Sequence, residues 1–192
     1  MCFYEYRITS KNQALRRADS LRKKMQNITI RPMHRREAPA VVKMIRALAA
    51  HHGDKAVITA KHLIQHCTGP KKRARVWAAY VGDEPAGFIL VYDTINFVRN
   101  KASCRIDLLY VEAKHRRKGV AGALVAKVAE DACARCIKRL SVDAMASNKV
   151  SNRLYRCLGF KMRKDRSIKY SVEGAVFRRL AKAKKKGSAN DR

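Results

Sequence analysis

Apolar residues recur along the chain with two different periods, and each period predicts a different type of secondary structure. Where they return every three or four positions, one face of a helix is apolar and can pack against a core. This spacing predicts helices over residues 37–50, 59–67, 120–137 and 148–158. A proline in the first turn favours the first of these helices, and Gly159 is a typical stop for the last.

Short apolar stretches bounded by turn residues predict strands. They occupy residues 27–31, 76–81, 87–92, 104–111 and 140–145, and weaker segments follow at 160–162 and 168–180. The turn sequence Gly-Asp-Glu-Pro at 82–85 predicts a hairpin between two of these strands. The strand at 104–111, the helix at 120–137 and the strand at 140–145 are expected to form a βαβ unit.

A hairpin and a crossover in one chain indicate an α+β domain with three layers. We place this domain at residues 27–180, after a basic extension at 1–26 and before a basic tail at 181–192. The first predicted strand begins just after Met25, which makes Met25 an alternative to Met1 as the natural start.

Charge is the most unusual property of the composition. The 192 residues include 44 Lys and Arg against 15 Asp and Glu, a formal net charge of +29. Hydrophobic residues make up 47% of the chain, enough for a core, which argues against a disordered body. The longest apolar run, residues 86–92, is far shorter than the ~20 residues of a membrane-spanning helix, so we expect no membrane partner. The basic ends predict weak, non-specific contact with nucleic acid.

Six scattered cysteines and the lack of an apolar segment after the N-terminus favour a reducing, cytoplasmic location. Residues 1–24 resemble an organellar transit peptide in composition, although a solvated basic helix accounts for the same residues. Cys133 and Cys136 have no second cysteine pair, and His62 and His66 have no third ligand. We therefore predict structural cysteines, solvated histidines and no metal site.

One basic loop carries the strongest chemical signal. Residues 115–122 read His-Arg-Arg-Lys-Gly-Val-Ala-Gly and separate a predicted strand from the long helix. The first turn of a helix presents unpaired backbone N–H groups, and small residues there let an anion approach them closely. The loop therefore predicts a pyrophosphate site, with a solvated charge run as the alternative. Its small residues are Gly119, Ala121 and Gly122, and its cationic residues are Arg116, Arg117 and Lys118.

Together with its flanking segments, the loop resembles the GNAT superfamily of acetyl-CoA-dependent N-acetyltransferases, nearest to the branch that acetylates diamines and other small amines. Three matches carry the resemblance: the strand at 107–111, the loop at 116–121 with its Arg-x-x-Gly-x-Ala pattern, and the segment at 148–160. The likeness covers residues 27–175. It implies the three-layer GNAT fold, with a mixed, mostly antiparallel and splayed central sheet flanked by helices.

The resemblance also implies acetyl-CoA as co-substrate, with no metal. Main-chain groups of the splayed strand would pair with the pantetheine arm as an added strand would, and the loop would hold the pyrophosphate. The residues implied in cofactor binding are Leu109, Tyr110, Val111, Arg116, Arg117, Lys118, Gly119, Val120, Ala121, Gly122, Asn148 and Tyr155. Many members carry a glycine where this chain has Arg117, so only the main chain of that residue is assigned a contact.

The implied reaction is direct attack of a primary amine on the acetyl thioester in a ternary complex. Tyr155 matches the tyrosine that acts as general acid in the family, since a phenol of pKa ~10 can protonate a thiolate of similar basicity. Asp107 is the candidate base, at a position where related enzymes carry a glutamate. Aspartate is one methylene shorter, and Glu112 or no dedicated base are the alternatives.

The acceptor is expected to be a small-molecule amine or a peptide amine, and many relatives form homodimers, which we also expect here. A polycationic acceptor would be repelled at long range by the net charge of +29. The competing function is a basic protein that binds nucleic acid, or the cofactor, without acetyltransferase activity. Against it, aromatic residues make up only 7% and no nucleic-acid-binding motif is recognisable.

Overall fold

The computed structural model describes residues 28–98 and 100–162, and predictions for the basic extension, the segment at 168–180 and the basic tail lie outside these residues. The described residues divide into two units, 28–152 and 153–162.

The first unit is built around one sheet. Its strands are β1 (Ile28–Pro32), β2 (Arg75–Val81), β3 (Glu84–Asn96), β4 (Lys101–Val111) and β5 (Leu140–Val142). They lie side by side in chain order. The pairs from β1 to β4 are antiparallel, and β5 runs parallel to β4 after a helical crossover. The mixed, mostly antiparallel sheet is therefore confirmed.

Every helix predicted within the described residues is present. They are α1 (Ala38–His51), α2 (Ala60–Cys67), α3 (Val120–Ala134) and α4 (Lys149–Cys157), with single 3₁₀ turns at Arg35–Glu37 and Ala113–His115. The Thr59 side chain caps α2 by accepting a hydrogen bond from the His62 N–H at 3.2 Å, which explains where that helix starts. None of the helices in the described residues is long and apolar enough to cross a membrane.

Helices cover both faces of the sheet. On one face, Val41 of α1 and Leu63 of α2 pack with Phe88 of β3 in the main apolar cluster. On the opposite face lies α3, whose Lys127 ammonium stacks over the Trp77 ring of β2 at 5.4 Å. Because adjacent residues of a strand point to opposite faces, this alternation gives the three layers of the expected α+β fold.

β3 and β4 are longer than their apolar runs predict. Beyond the pairing of Arg75 with Val91, which ends the contact with β2, the two strands continue to pair with each other as far as Asn96 and Lys101. This extension is rich in polar residues, and its cross-strand hydrogen bonds continue the ladder between β3 and β4. A prediction based on apolar runs alone therefore makes both strands too short.

α3 ends at Ala134 rather than at residue 137 because the chain closes the helix with a Schellman motif. The Ile137 N–H donates to the Ala132 carbonyl at 2.8 Å, and the Cys136 N–H donates to the Cys133 carbonyl at 2.9 Å. Cys136 takes the left-handed conformation, with φ of +59°. The Cys133–Cys136 spacing thus marks a helix end.

The segment at 160–162 does not form the predicted strand. Gly159 has φ of +87° and ends α4, and the Phe160 N–H donates back to the Tyr155 carbonyl at 3.0 Å. Phe160 therefore belongs to the helix cap. The strand β5 is also shorter than predicted, since its pairing with β4 ends at Val142; farther on, the Met145 carbonyl accepts a hydrogen bond from the Asn152 side chain at 2.8 Å where the chain turns into α4.

Candidate active site at the end of β4

A β-bulge interrupts β4 at Asp107. Leu90 of β3 lies opposite Leu108, while its neighbour Val91 lies opposite Ile106, so Asp107 has no partner on β3. A bulge inserts one extra residue and bends the strand. The strand beyond Asp107 is therefore redirected, and the Asp107 side chain is exposed.

Beyond the bulge, β4 has one open edge. Its parallel pairing with β5 stops at Ile106, and no other strand of the described residues pairs with it on that side. The Glu112 N–H donates to the Ala86 carbonyl of β3, so alternate residues bond to β3. The main-chain groups of Leu109 and Val111 consequently point away from β3, toward the open side. This open edge lies where the resemblance to the acetyltransferases implies a splayed strand.

Gly87 allows β3 to approach this part of β4 closely. A Cβ atom at residue 87 would lie 2.4 Å from the Tyr110 carbonyl oxygen and 3.1 Å from the Val111 Cα. Both contacts are with backbone, which cannot rotate away. The absence of a side chain at Gly87 therefore lets β3 pack closely against β4 along the side opposite the open edge.

The loop after β4 places backbone N–H groups at the start of α3. Gly119 precedes the helix with φ of +89°, and the first intrahelical bond runs from the Ala123 N–H to the Gly119 carbonyl at 3.0 Å. The N–H groups of Val120, Ala121 and Gly122 come before that bond and have no carbonyl partner within the helix. Free N–H groups of this kind can bind an anion, and they lie where the sequence predicts a pyrophosphate site.

Arg117 supplies a second left-handed residue in this loop, with φ of +63°. Glycine adopts that conformation without steric cost, which gives a physical reason for the glycine common at this position in the resembling family. The Arg117 and Lys118 side chains are both exposed beside the helix start. They can contribute positive charge to an anion bound there.

The Arg116 side chain ties the loop to the strand. Its Nε donates to the Val111 carbonyl at 2.9 Å, and its guanidinium carbon lies 5.8 Å from the centre of the Tyr110 ring. The Tyr110 hydroxyl in turn donates to the Glu112 carboxylate at 3.3 Å. Burial, and then the Glu112 charge, raise the pKa of Tyr110. Arg116 thus occupies the last carbonyl of the open edge and connects it to the anion-binding loop.

Two further sequence-predicted residues lie on the segment that leads into and through α4. Asn148 caps this helix, because its Oδ1 accepts a hydrogen bond from the Ser151 N–H at 3.0 Å. Tyr155 lies in the second unit, half-buried, with its ring 5.4 Å from that of Phe160. Burial raises the pKa of Tyr155 above that of a free phenol. A protonated phenol is the form that a general acid needs.

The contact between Glu84 and His115 is a feature of this region that sequence reasoning missed. Glu84, the first residue of β3, forms an ion pair with Lys114 and lies 3.2 Å from the Nε2 of His115. His115 is only 5% exposed. These partners are about thirty residues apart in the chain, and no local pattern joins them.

No group of three or more metal-ligating side chains occurs in residues 28–98 and 100–162. The rings of His62 and His66 contact each other on α2, with their centroids 4.4 Å apart and their planes tilted by 54°.

Comparison with known proteins agrees with this geometry. Residues 42–160, more than half of the chain, match the model of the Acetyltransferase (GNAT) family. A search of curated proteins finds no significant match.

Solved structures share the fold at low identity. An aminoglycoside acetyltransferase from an uncultured soil metagenomic sample, in complex with trehalose, is 16% identical with a TM-score of 0.66, over 78% of this chain and 99% of that one. A ribosomal-protein-alanine N-acetyltransferase from Brucella melitensis biovar Abortus 2308 is 22% identical with a TM-score of 0.59, over 77% of this chain and 99% of that one. A possible acetyltransferase from Clostridium difficile 630 is 18% identical with a TM-score of 0.64, over 78% and 100%. The family match, on a chain whose β4 edge opens shortly before a helix start with free N–H groups, shows that this protein belongs to the GNAT acetyltransferase family.

Proposed function

We propose that the protein transfers the acetyl group of acetyl-CoA to a primary amine by direct attack in a ternary complex. The observation that carries this proposal is the order of features along β4. An open main-chain edge at Leu109 and Val111 runs directly into the helix start at Gly119–Gly122. An extended ligand with amide groups at one end and a pyrophosphate at the other matches that order.

In this proposal, the main-chain groups of Leu109 and the N–H of Val111 hold the pantetheine arm, which carries two amides, while the main chain of Tyr110 between them faces β3. The N–H groups of Val120, Ala121 and Gly122 hold the pyrophosphate, and the side chains of Arg117 and Lys118 offset its charge. The Arg116 side chain holds the loop against the Val111 carbonyl, and the main chain of Arg116 is left to contact the cofactor. Asn148, whose Oδ1 caps α4, retains its amide N–H₂ group for a contact with the cofactor.

Two proton transfers complete the proposed reaction. The neutral amine nitrogen bonds to the thioester carbonyl carbon, and Asp107 accepts the proton that the nitrogen loses, through a water molecule. When the carbon–sulfur bond breaks, the Tyr155 hydroxyl protonates the departing thiolate. The raised pKa of Tyr155 keeps its proton in place at neutral pH. Asp107 is favoured over Glu112 as the base, because Glu112 accepts the hydrogen bond of Tyr110.

The acceptor in this proposal is a small-molecule amine or a peptide amine. Two structural neighbours are named for acceptors of these two kinds, an aminoglycoside and the alanine of a ribosomal protein. The exposed carboxylate of Asp107 gives a single ammonium group a local partner within a chain of net charge +29. This combination favours acceptors with one or few positive charges over long polyamines.

An acceptor screen that follows release of free thiol from acetyl-CoA tests the proposal. We expect thiol release to depend on one class of amine and to fall at least tenfold in the Tyr155→Phe variant, because the phenylalanine cannot donate a proton. Asp107→Asn tests the base, and Glu112→Gln is its matched control. Full activity of Tyr155→Phe across the alkaline range would contradict the assignment of the acid.

A further inference from the structure

Glu84 holds two successive residues of the turn that leads into the anion-binding loop. Its carboxylate forms an ion pair with the Lys114 ammonium, and its Oε2 lies 3.2 Å from the Nε2 of His115. Lys114 and His115 belong to the 3₁₀ turn Ala113–His115, which separates β4 from the loop. One residue at the start of β3 therefore restrains the whole turn.

Of the two contacts that Glu84 makes, the one with His115 is the more buried. His115 is 5% exposed, whereas the Lys114 side chain is 63% exposed and Glu84 is 47% exposed. The bond to Lys114, and then the contact with His115, lower the pKa of Glu84, so the carboxylate is ionised and can only accept. His115 must then donate from Nε2. Its buried Nδ1 has no hydrogen-bond partner among the described residues.

The restrained turn continues directly into the residues that form the site. Arg116 follows His115 and bonds to the Val111 carbonyl at 2.9 Å. Arg117 comes next, in a left-handed conformation that a side chain rarely adopts. Such a conformation persists only where the surroundings hold it in place. On the side of the strand, the holding contacts are those of Glu84 and Arg116.

We propose that Glu84 and His115 are positioning residues that hold the anion-binding loop in its ligand-ready shape. This inference rests on the function proposed above. It predicts that Glu84 favours binding of the cofactor, although its negative charge alone would oppose it. An acidic residue near a bound polyphosphate opposes binding by simple electrostatics. A residue that preorganises the loop favours binding, because a loop that is already ordered loses less entropy when the ligand binds.

The sign of one substitution separates these two roles. In the full-length protein, we expect Glu84→Gln to weaken CoA binding about fivefold by titration calorimetry, as the loss of a charged hydrogen bond to the loop predicts. Asp83→Asn is the matched control, since it removes the same charge one residue away in the same turn. Asp83 makes no ion pair within the described part of the chain, so Asp83→Asn should leave affinity unchanged or slightly raise it.

Variants of His115 test the donor. His115→Gln places an amide N–H near the position of Nε2 and should retain most of the affinity, while His115→Leu should lose about as much as Glu84→Gln. The effects of His115→Leu and Glu84→Gln should add incompletely when the variants are combined, because the first removes the contact that the second weakens by removing the acceptor's charge. Lys114→Ala should change affinity less than twofold, since the Lys114–Glu84 pair is exposed.

Hydrogen exchange of the loop amides at 116–122, without ligand, provides a readout that does not depend on the proposed function. We expect faster exchange in Glu84→Gln and unchanged exchange in Asp83→Asn. If the wild-type protein binds CoA and Glu84→Gln binds it equally or more tightly, the positioning role is wrong while the proposed function stands. If the wild-type protein does not bind CoA but Glu84→Gln speeds exchange, the proposed function fails and the restraint by Glu84 is supported.

Discussion

The Nε of Arg116 lies 2.9 Å from the carbonyl oxygen of Val111, so the first residue of the anion-binding loop is bonded to the last residue of β4. The bond joins the main-chain edge and the helix start into one surface. It also directs the Arg116 side chain to the strand, although Arg116, like its neighbours Arg117 and Lys118, is exposed.

Loss of this bond should weaken cofactor binding more than it slows the chemical step. We expect Arg116→Ala to raise the KM for acetyl-CoA about tenfold, the cost of a hydrogen bond from a charged donor, with kcat within twofold. Lys118→Ala removes the same charge from the same loop without a strand contact. Steady-state kinetics with acetyl-CoA as the varied substrate measures both variants. If both variants raised the KM equally, the effect of Arg116 would come from its charge and not from its bond to Val111.

The left-handed conformation of Arg117 predicts a stabilising substitution. Arg117→Gly should raise the free energy of unfolding by about 1 kcal/mol, because glycine adopts a φ of +63° without the steric cost that a side chain carries. Arg117→Ala removes the same side chain but keeps the Cβ atom, and should give no such gain. Urea denaturation of both variants measures the difference. A gain of equal size in Arg117→Ala would assign the effect to charge.

Cysteines 133 and 136 should respond to the same substitution with opposite signs. Cys136→Gly places glycine at the left-handed position of the Schellman motif and should stabilise the protein by about 1 kcal/mol. Cys133→Gly places glycine within α3 and should destabilise it by about 1 kcal/mol. Thermal melts under reducing conditions compare the two variants. Destabilisation by both would show that the helix end does not depend on the conformation of residue 136.

Glu37 should make a contribution to stability that is lost in acid. Burial alone would raise the pKa of this carboxyl, but hydrogen bonds from the Arg31 guanidinium and the His34 N–H lower it to about 2. Because its pKa is lower in the folded protein, the contribution is complete above pH 4.5 and disappears as the pH falls toward 2.

The Glu37→Gln variant isolates the contribution of the ionised Glu37 carboxylate to stability. The stability difference between the wild-type protein and this variant should be constant at neutral pH and shrink between pH 4.5 and 2. Urea denaturation at stepped pH measures it. A difference that does not change over that range would contradict the assignment to Glu37 ionisation.

The helices and the β2–β3 hairpin were predictable because each has a local cause. Apolar spacing within α1 and α3 is set by burial of one face, and the turn sequence at 82–85 fits only a reversal of the chain. The position of the loop at 116–119, between a strand and the start of a helix, was predictable for a related reason, since it too depends on local sequence. These features need no knowledge of which distant residues meet.

The bulge at Asp107 was not predictable, because a shift of one residue leaves no trace in the pattern of β4. The same holds for Glu84 and His115, whose contact depends on where the turn after β4 lies against the start of β3. Composition explains only that acids are scarce. It does not indicate which basic side chain each acidic side chain contacts.

The bulge also changes which part of β4 evolution must preserve. Before Asp107 the strand is held by side chains in the core, such as the buried Ile106, whereas after it the proposed binding groups at Leu109 and Val111 are main-chain amides and carbonyls. Every residue except proline carries the same main-chain groups. Identity at those positions is therefore free to drift while the one-residue insertion is not, and deleting Asp107 would restore the regular register with β3 while keeping every main-chain group of Leu109 and Val111.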